Sequence, residues 1–188
     1  MVKNEKLVRI IILLLPLMLF ACISWIPNAY YYGIKDGGFK KSLTPKPQNP
    51  NLGKSFEVKF TSLNGKPVDT RKMKGQVILL DFYASWHPPY ERNISMMKNI
   101  YNSYKNNQFS MIGISADKNR TRLNDFITKN QIEWPQYFDG MGFQNQLFIE
   151  NNVTKVQTVW LVNKKGFIVD TNALPRINKK IEKLLSEY

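Results

Sequence analysis

The chain has 188 residues, 43% of them hydrophobic, 13% aromatic and 22% charged, which suits one packed domain of ordinary size and excludes a disordered chain. Its formal charge of +13 is spread along the sequence, and no basic run interleaves with aromatics as in a nucleic-acid groove, so an anionic lipid surface is the expected partner of that charge and nucleic acid is not. A single cysteine, Cys22, excludes an intramolecular disulfide, a CxxC redox pair and a multi-cysteine zinc site.

Lys3, Lys6 and Arg9 precede a nearly unbroken apolar run from Ile10 to Ile26, the beginning of a secretory signal or a signal anchor. Two readings stay open. Leu19-Phe20-Ala21-Cys22 resembles the bacterial lipobox, which makes Cys22 a lipidation site; alternatively Leu7 to Ile26 spans the bilayer, with Trp25, Tyr30, Tyr31 and Tyr32 as its interfacial belt. Either way residues 1–26 tether the remainder of the chain outside the cytoplasmic membrane. Residues 27–51, with Asp36-Gly37-Gly38 and the spaced prolines Pro45, Pro47 and Pro50, read as a flexible linker, and 52–188 as the folded domain.

Val77 to Tyr83 is a continuous apolar run broken by one acid, Asp81, which predicts a strand buried on both faces of a partly parallel sheet. A helix is expected next, with Pro88 or Pro89 in its first turn and Ile94, Met97, Tyr101 and Tyr104 at helical spacing. Phe109 to Ser115 predicts a second strand, and Leu123, Phe126 and Ile127 mark a second helix that fades at Lys129-Asn130. Thr158–Val162 and Phe167–Val169 flank the hairpin signal Asn163-Lys164-Lys165-Gly166, and Ile177, Ile181, Leu184 and Leu185 form the face of a last amphipathic helix. The sum is an α/β sandwich with a mixed sheet.

Leu-Leu-Asp-Phe-Tyr-Ala-Ser-Trp-His-Pro-Pro-Tyr at 79–90 resembles the active-site segment of the thioredoxin superfamily, and in particular its membrane-anchored, redoxin-type (AhpC/TSA) thiol-disulfide oxidoreductases of the TlpA/ResA kind. Gly113-Ile114-Ser115-Ala116-Asp117, Trp134-Pro135-Gln136-Tyr137-Phe138-Asp139-Gly140 and Thr158-Val159-Trp160-Leu161-Val162-Asn163 come next in the family's order. The resemblance implies a thioredoxin-like three-layer α/β/α sandwich with a central mixed sheet. It also implies a Cys-Pro-Pro-Cys site at positions 87–90, a proton-relaying acid at Asp81 and a cis-proline at position 157. Here 87–90 is His87-Pro88-Pro89-Tyr90 and position 157 is Gln157. Without a thiolate there is no nucleophile for disulfide exchange or for a peroxidatic route. A non-proline cis bond costs about 2.5–4 kcal/mol, so the Val156–Gln157 bond is expected to be trans and its loop reshaped.

His87 and Tyr90 therefore read as replacements on an exposed turn, and Asp81 as a buried acid needing a hydrogen-bond partner. An acid-base cluster of Asp81, His87 and Tyr90, or a metal centre at His87, is the alternative for the same residues; one histidine lacks the further ligands a metal needs, and neither metal nor cofactor is expected. Trp86, Trp134 and Trp160 belong to core packing or the helix entrance. The expected function is a redox-inactive, membrane-tethered extracytoplasmic module that binds an envelope protein or peptide, or supports envelope assembly, through Trp86, His87, Tyr90, Val156, Gln157 and Thr158. The alternative keeps the chain in thiol-disulfide exchange, cell redox homeostasis or cytochrome c maturation, as the family resemblance implies.

Overall fold

The computed structural model describes residues 49–187. The anchor, Cys22 and the linker up to residue 48 lie outside the described residues. The linker's last residues correct its expected boundary: Asn51 is buried and its Nδ2 donates to the Asn151 carbonyl at 2.6 Å, so 49–51 already belong to the folded domain.

A short hairpin opens the domain, with β1 (Lys59–Thr61) antiparallel to β2 (Pro67–Asp69). A 3-10 turn, Thr70–Met73, leads to β3 (Val77–Tyr83), all seven residues of which are buried. Then come α1 (Pro88–Tyr104), β4 (Phe109–Ser115), α2 (Arg120–Lys129), the two-residue β5 (Gln136–Tyr137), α3 (Gln146–Glu150), β6 (Thr158–Val162), β7 (Ile168–Asp170) and α4 (Ile177–Ser186). Helix α2 is capped by Asn119, whose side chain accepts from the Arg122 N–H at 2.9 Å. The five-stranded sheet runs β5-β4-β3-β6-β7; β3 is parallel to β4, β4 to β5, and β6 is antiparallel to β3 and β7.

Strand alternation divides β3 between two cores. Val77, Leu79 and Tyr83 pack with Met97 of α1, Phe126 of α2 and Ile181 of α4. Ile78, Leu80 and Phe82 face Phe148 of α3 and Trp160 of β6. The layers are thus unequal: three long helices cover one face, while a five-residue helix and the N-terminal segment cover the other. Among the described residues no helix is long and apolar enough to cross a membrane.

Between β4 and β5 the Gln136 side chain lies so close over Gly113 that only glycine fits there. A Cβ on Gly113 would collide with the Gln136 side chain, which cannot swing away without losing its own hydrogen bonds to Tyr83 and the Trp134 carbonyl. Gly113→Ala is expected to lower unfolding stability by about 1–3 kcal/mol, read as a shifted urea midpoint at unchanged slope.

Candidate functional site

The site lies where β3 ends and α1 begins. Ala84, Ser85 and Trp86 make the turn between them, His87 is the N-cap of α1, and Pro88 and Pro89 occupy its first two positions, where the missing N–H groups cost nothing. The turn is pinned from below. Asp117, buried after β4, accepts from the Ser85 N–H at 2.9 Å, from Ser85 Oγ at 2.6 Å and from Ser115 Oγ at 2.7 Å. Three donors on one buried carboxylate fix the entrance of α1 to the end of β4.

Tyr90, expected on the exposed turn and in a binding surface, is instead only 2% exposed. Its hydroxyl donates to Asp81 Oδ2 at 2.7 Å, and its ring stacks on Tyr83 with centroids 4.5 Å apart and planes at 21°. The reason is helical geometry: a residue in the first turn of α1 points back over the sheet, and Ile94 and Met97 lie on the same inward face. The phenol is thus the hydrogen-bond partner that Asp81 requires.

Tyr83 in turn donates to Gln136 Oε1 at 2.7 Å, and Gln136 Nε2 donates to the Trp134 carbonyl at 2.8 Å. Neither Tyr83 nor Gln136 stands out as a site residue in the sequence. Strand periodicity puts Tyr83 on the face of Asp81, two residues away; nothing local marks Gln136, which is 53 residues from Tyr83.

Burial dominates the electrostatics. Asp81, 1% exposed, is pushed up from the ordinary 3.8 to about 7 by loss of water, an effect that Tyr90's hydrogen bond partly offsets. Both tyrosines are pushed well above the ordinary phenol value, first by burial and then by the nearby Asp81 charge. The second carboxylate oxygen, Asp81 Oδ1, makes no hydrogen bond, nor does Gln157 Nε2. Both side chains line a void of about 10 Å³ together with Tyr90, Asn93 and Val159.

The other expected residues divide. Trp86 is 40% exposed and belongs to the surface rather than the core, whereas Trp134 and Trp160 are buried. His87 is half-buried, lies edge-on to Trp86 with centroids 6.1 Å apart, and hydrogen-bonds to neither Asp81 nor Tyr90 through its ring; the structure joins only Asp81 and Tyr90 of that trio. Among the described residues no three His, Cys, Asp or Glu side chains converge as metal ligands do. Val156, Gln157 and Thr158 are half-buried, the Val156–Gln157 bond is trans, and Gln157 takes the left-handed conformation at φ +60°.

A mixed sheet with an α-helix springing from the end of its central strand, and the acid-bearing strand beneath that helix's N-terminus, defines a thioredoxin-like domain. The chain belongs to the AhpC/TSA family, whose model matches residues 52–171, and is a TlpA/ResA-like member of the thioredoxin superfamily. It is 24% identical over 190 residues to the thiol-disulfide oxidoreductase ResA of Bacillus cereus, covering 100% of this chain and 98% of that one. It is 22% identical over 174 residues to sporulation thiol-disulfide oxidoreductase A of Bacillus subtilis, covering 91% and 94%. Among solved structures, a thiol-disulfide oxidoreductase of Bacteroides fragilis superimposes with a TM-score of 0.63 at 24% identity over 70% of this chain and 99% of that one. The thioredoxin domain of a thiol-disulfide oxidoreductase of Bacteroides vulgatus does so with 0.64 at 19% identity over 72% and 98%. These likenesses establish the fold.

The raised pKa of Asp81 sets a sign for pH dependence. The folded state keeps the proton that the unfolded chain releases above 3.8, so this contribution to stability is complete below that pH and lost as pH rises through about 7. Asp81→Asn should flatten that decline in urea-unfolding stability across the same window. Tyr90→Phe, which removes the hydrogen bond that favours the carboxylate, should raise the Asp81 pKa further, measured by NMR of its carboxyl carbon.

Proposed function

We propose that this chain is a membrane-tethered, extracytoplasmic thioredoxin-like module that binds a protein or peptide of the cell envelope and performs no thiol-disulfide exchange. The observation that carries this reading is the Asp81–Tyr90 hydrogen bond. Where the resemblance assigns the resolving cysteine there is a buried phenol, and its donor is committed to the acid that the resemblance makes a proton relay. A neutral phenol whose pKa is raised is a poor nucleophile, and the chain's one thiol, Cys22, stands 59 residues before Asp81 in the segment read as the anchor. What remains accessible at the old site is Trp86, part of His87 and the Val156–Thr158 loop, and those are the residues proposed to meet the partner. The apolar run of Ile10 to Ile26 supports the tether, by a lipid on Cys22 or by a spanning helix.

Full-length protein in detergent should reduce a small disulfide substrate no faster than buffer alone; sustained turnover would overturn the reading. The partner is to be sought by photocrosslinking from Trp86, His87 and Gln157, with Tyr90 as a buried control that should capture nothing. Capture of an active oxidoreductase or its substrate would place the chain beside thiol-disulfide chemistry as a presenter, whereas capture of an unrelated envelope protein would make it an assembly factor.

A further inference from the structure

The face of the sheet opposite α1 has a thin cover, α3 and the N-terminal segment, and that cover carries apolar side chains on its outer side too. Met141, Phe143 and Ile149 are 55%, 42% and 55% exposed; of the seven large apolar side chains exposed among the described residues, these three fall within nine residues. Phe143 lies in the 3-10 turn Gly142–Gln144 that leads into α3, and its ring meets buried Phe148 edge-on with centroids 5.9 Å apart. Ile149 follows Leu147 and Phe148, which take up the inward side of α3.

The chain enters the folded domain at this same place. Asn51 Nδ2 donates to the carbonyl of Asn151, the residue that ends α3, and Leu52 packs against the cluster that holds Leu147 and Phe148. Everything before Asn49, including the apolar run Ile10 to Ile26 read as the anchor, therefore joins the domain beside α3. Two cations flank the apolar group. Lys118 lies against the turn, where a Cβ added to Gly142 would come within 2.8 Å of its Cε, and Lys155 stands in the loop beyond α3. Neither forms an ion pair among the described residues. The segment's two carboxylates are engaged by its own donors: Asp139 accepts from the N–H groups of Met141 and Gln146, and Glu150 from Gln146 Nε2.

We propose that α3 and the turn before it dock the domain on the outer face of the membrane, with Met141, Phe143 and Ile149 entering the boundary between headgroups and acyl chains and Lys118 and Lys155 meeting anionic headgroups. The inference rests on the tether of the proposed function and adds an orientation to it. A tether holds the domain at high effective concentration beside the bilayer, so a contact of a few side chains is populated that would be lost in free solution. Docked in this way, α1 and its exposed Met96 turn away from the lipid, because α1 covers the opposite face of the sheet.

The test uses the full-length protein, ¹³C-labelled at the methionine ε and isoleucine δ1 methyls, in nanodiscs of phosphatidylcholine and phosphatidylglycerol that contain a trace of lipid with a gadolinium chelate at its headgroup. Met141, Ile149 and Met96 are assigned by the loss of their signals in Met141→Leu, Ile149→Leu and Met96→Leu. The expected result is broadening of Met141 and Ile149 relative to discs with the lanthanum chelate, while Met96 stays sharp. That broadening should fall by about threefold in Phe143→Ser and in discs of phosphatidylcholine alone, with the methyl of buried Met111 unshifted as the sign of an intact fold. Broadening of Met96 equal to that of Ile149, no broadening at either, or broadening that neither change reduces would overturn the docking while leaving the tether in place. Protein that does not copurify with the discs would overturn the tether and the docking together.

Discussion

A carboxyl group in the middle of a fully buried central strand is the constraint on which the rest of this domain depends. Asp81 pairs with Gly113 on one side and Val159 on the other, so water cannot reach it from within the sheet. Burying an ionised carboxylate alone is prohibitive, and two things relieve the cost here: the pKa moves up towards neutrality, and Tyr90 supplies a donor. For the phenol to reach Asp81, α1 must start where it does, and Pro88-Pro89 with the pinned Ser85 turn sets that start. The constraint then propagates sideways. Tyr90 stacks on Tyr83, Tyr83 is held by Gln136, and Gln136 occupies space that Gly113 leaves free. A stacked aromatic pair contributes about 0.5–1.5 kcal/mol beyond its buried area and each neutral hydrogen bond about 1 kcal/mol net, so the set stabilises the domain mainly by avoiding an unpaired buried acid.

The same packing separates two things that the family pattern joins. The rim of the site, with exposed Trp86 and half-buried His87, keeps the shape of a helix entrance held against the end of the sheet, where ligands of open α/β sheets meet the strand ends. The floor, Asp81 and Tyr90, is sealed beneath it. A surface that can recognise and an interior that stabilises are physically separate here, which is why binding without exchange is the reading proposed.

Elements long enough to carry a period were legible in the sequence. The run Val77–Tyr83 could only be a doubly buried strand, the Asn163–Gly166 turn announced a hairpin, and the apolar spacing of α1, α2 and α4 was regular. The hairpin of β1 and β2, with three residues each, and the five-residue α3 fall below any readable period and are specified by turns and caps instead: Ser62 bonding across to Lys66, and Asn145 accepting from the Leu147 N–H. The site misled at one residue. Tyrosine in a first helical turn after two prolines reads as surface, because its burial depends on Asp81 below and Tyr83 beside it, contacts that exist only once the helix lies on the sheet. Trp86, expected at the helix entrance and in the binding surface, is 40% exposed there.

These dependencies also bear on how far the site stands from a working dithiol. Cysteine at 87 changes a half-buried N-cap whose side chain makes no capping bond, a small perturbation. Cysteine at 90 is different in kind. It removes a ring packed against Tyr83 and Phe126, a loss of the size that costs about 3–5 kcal/mol when an aromatic is truncated in a core, and it leaves Asp81 without its donor. Gln157, at the position where the resemblance implies a cis-proline, follows a trans bond and is held at a positive φ beside the same void. The replacements at 87, 90 and 157 are therefore unequal: one sits at the rim, while the other two are built into the packing around Asp81.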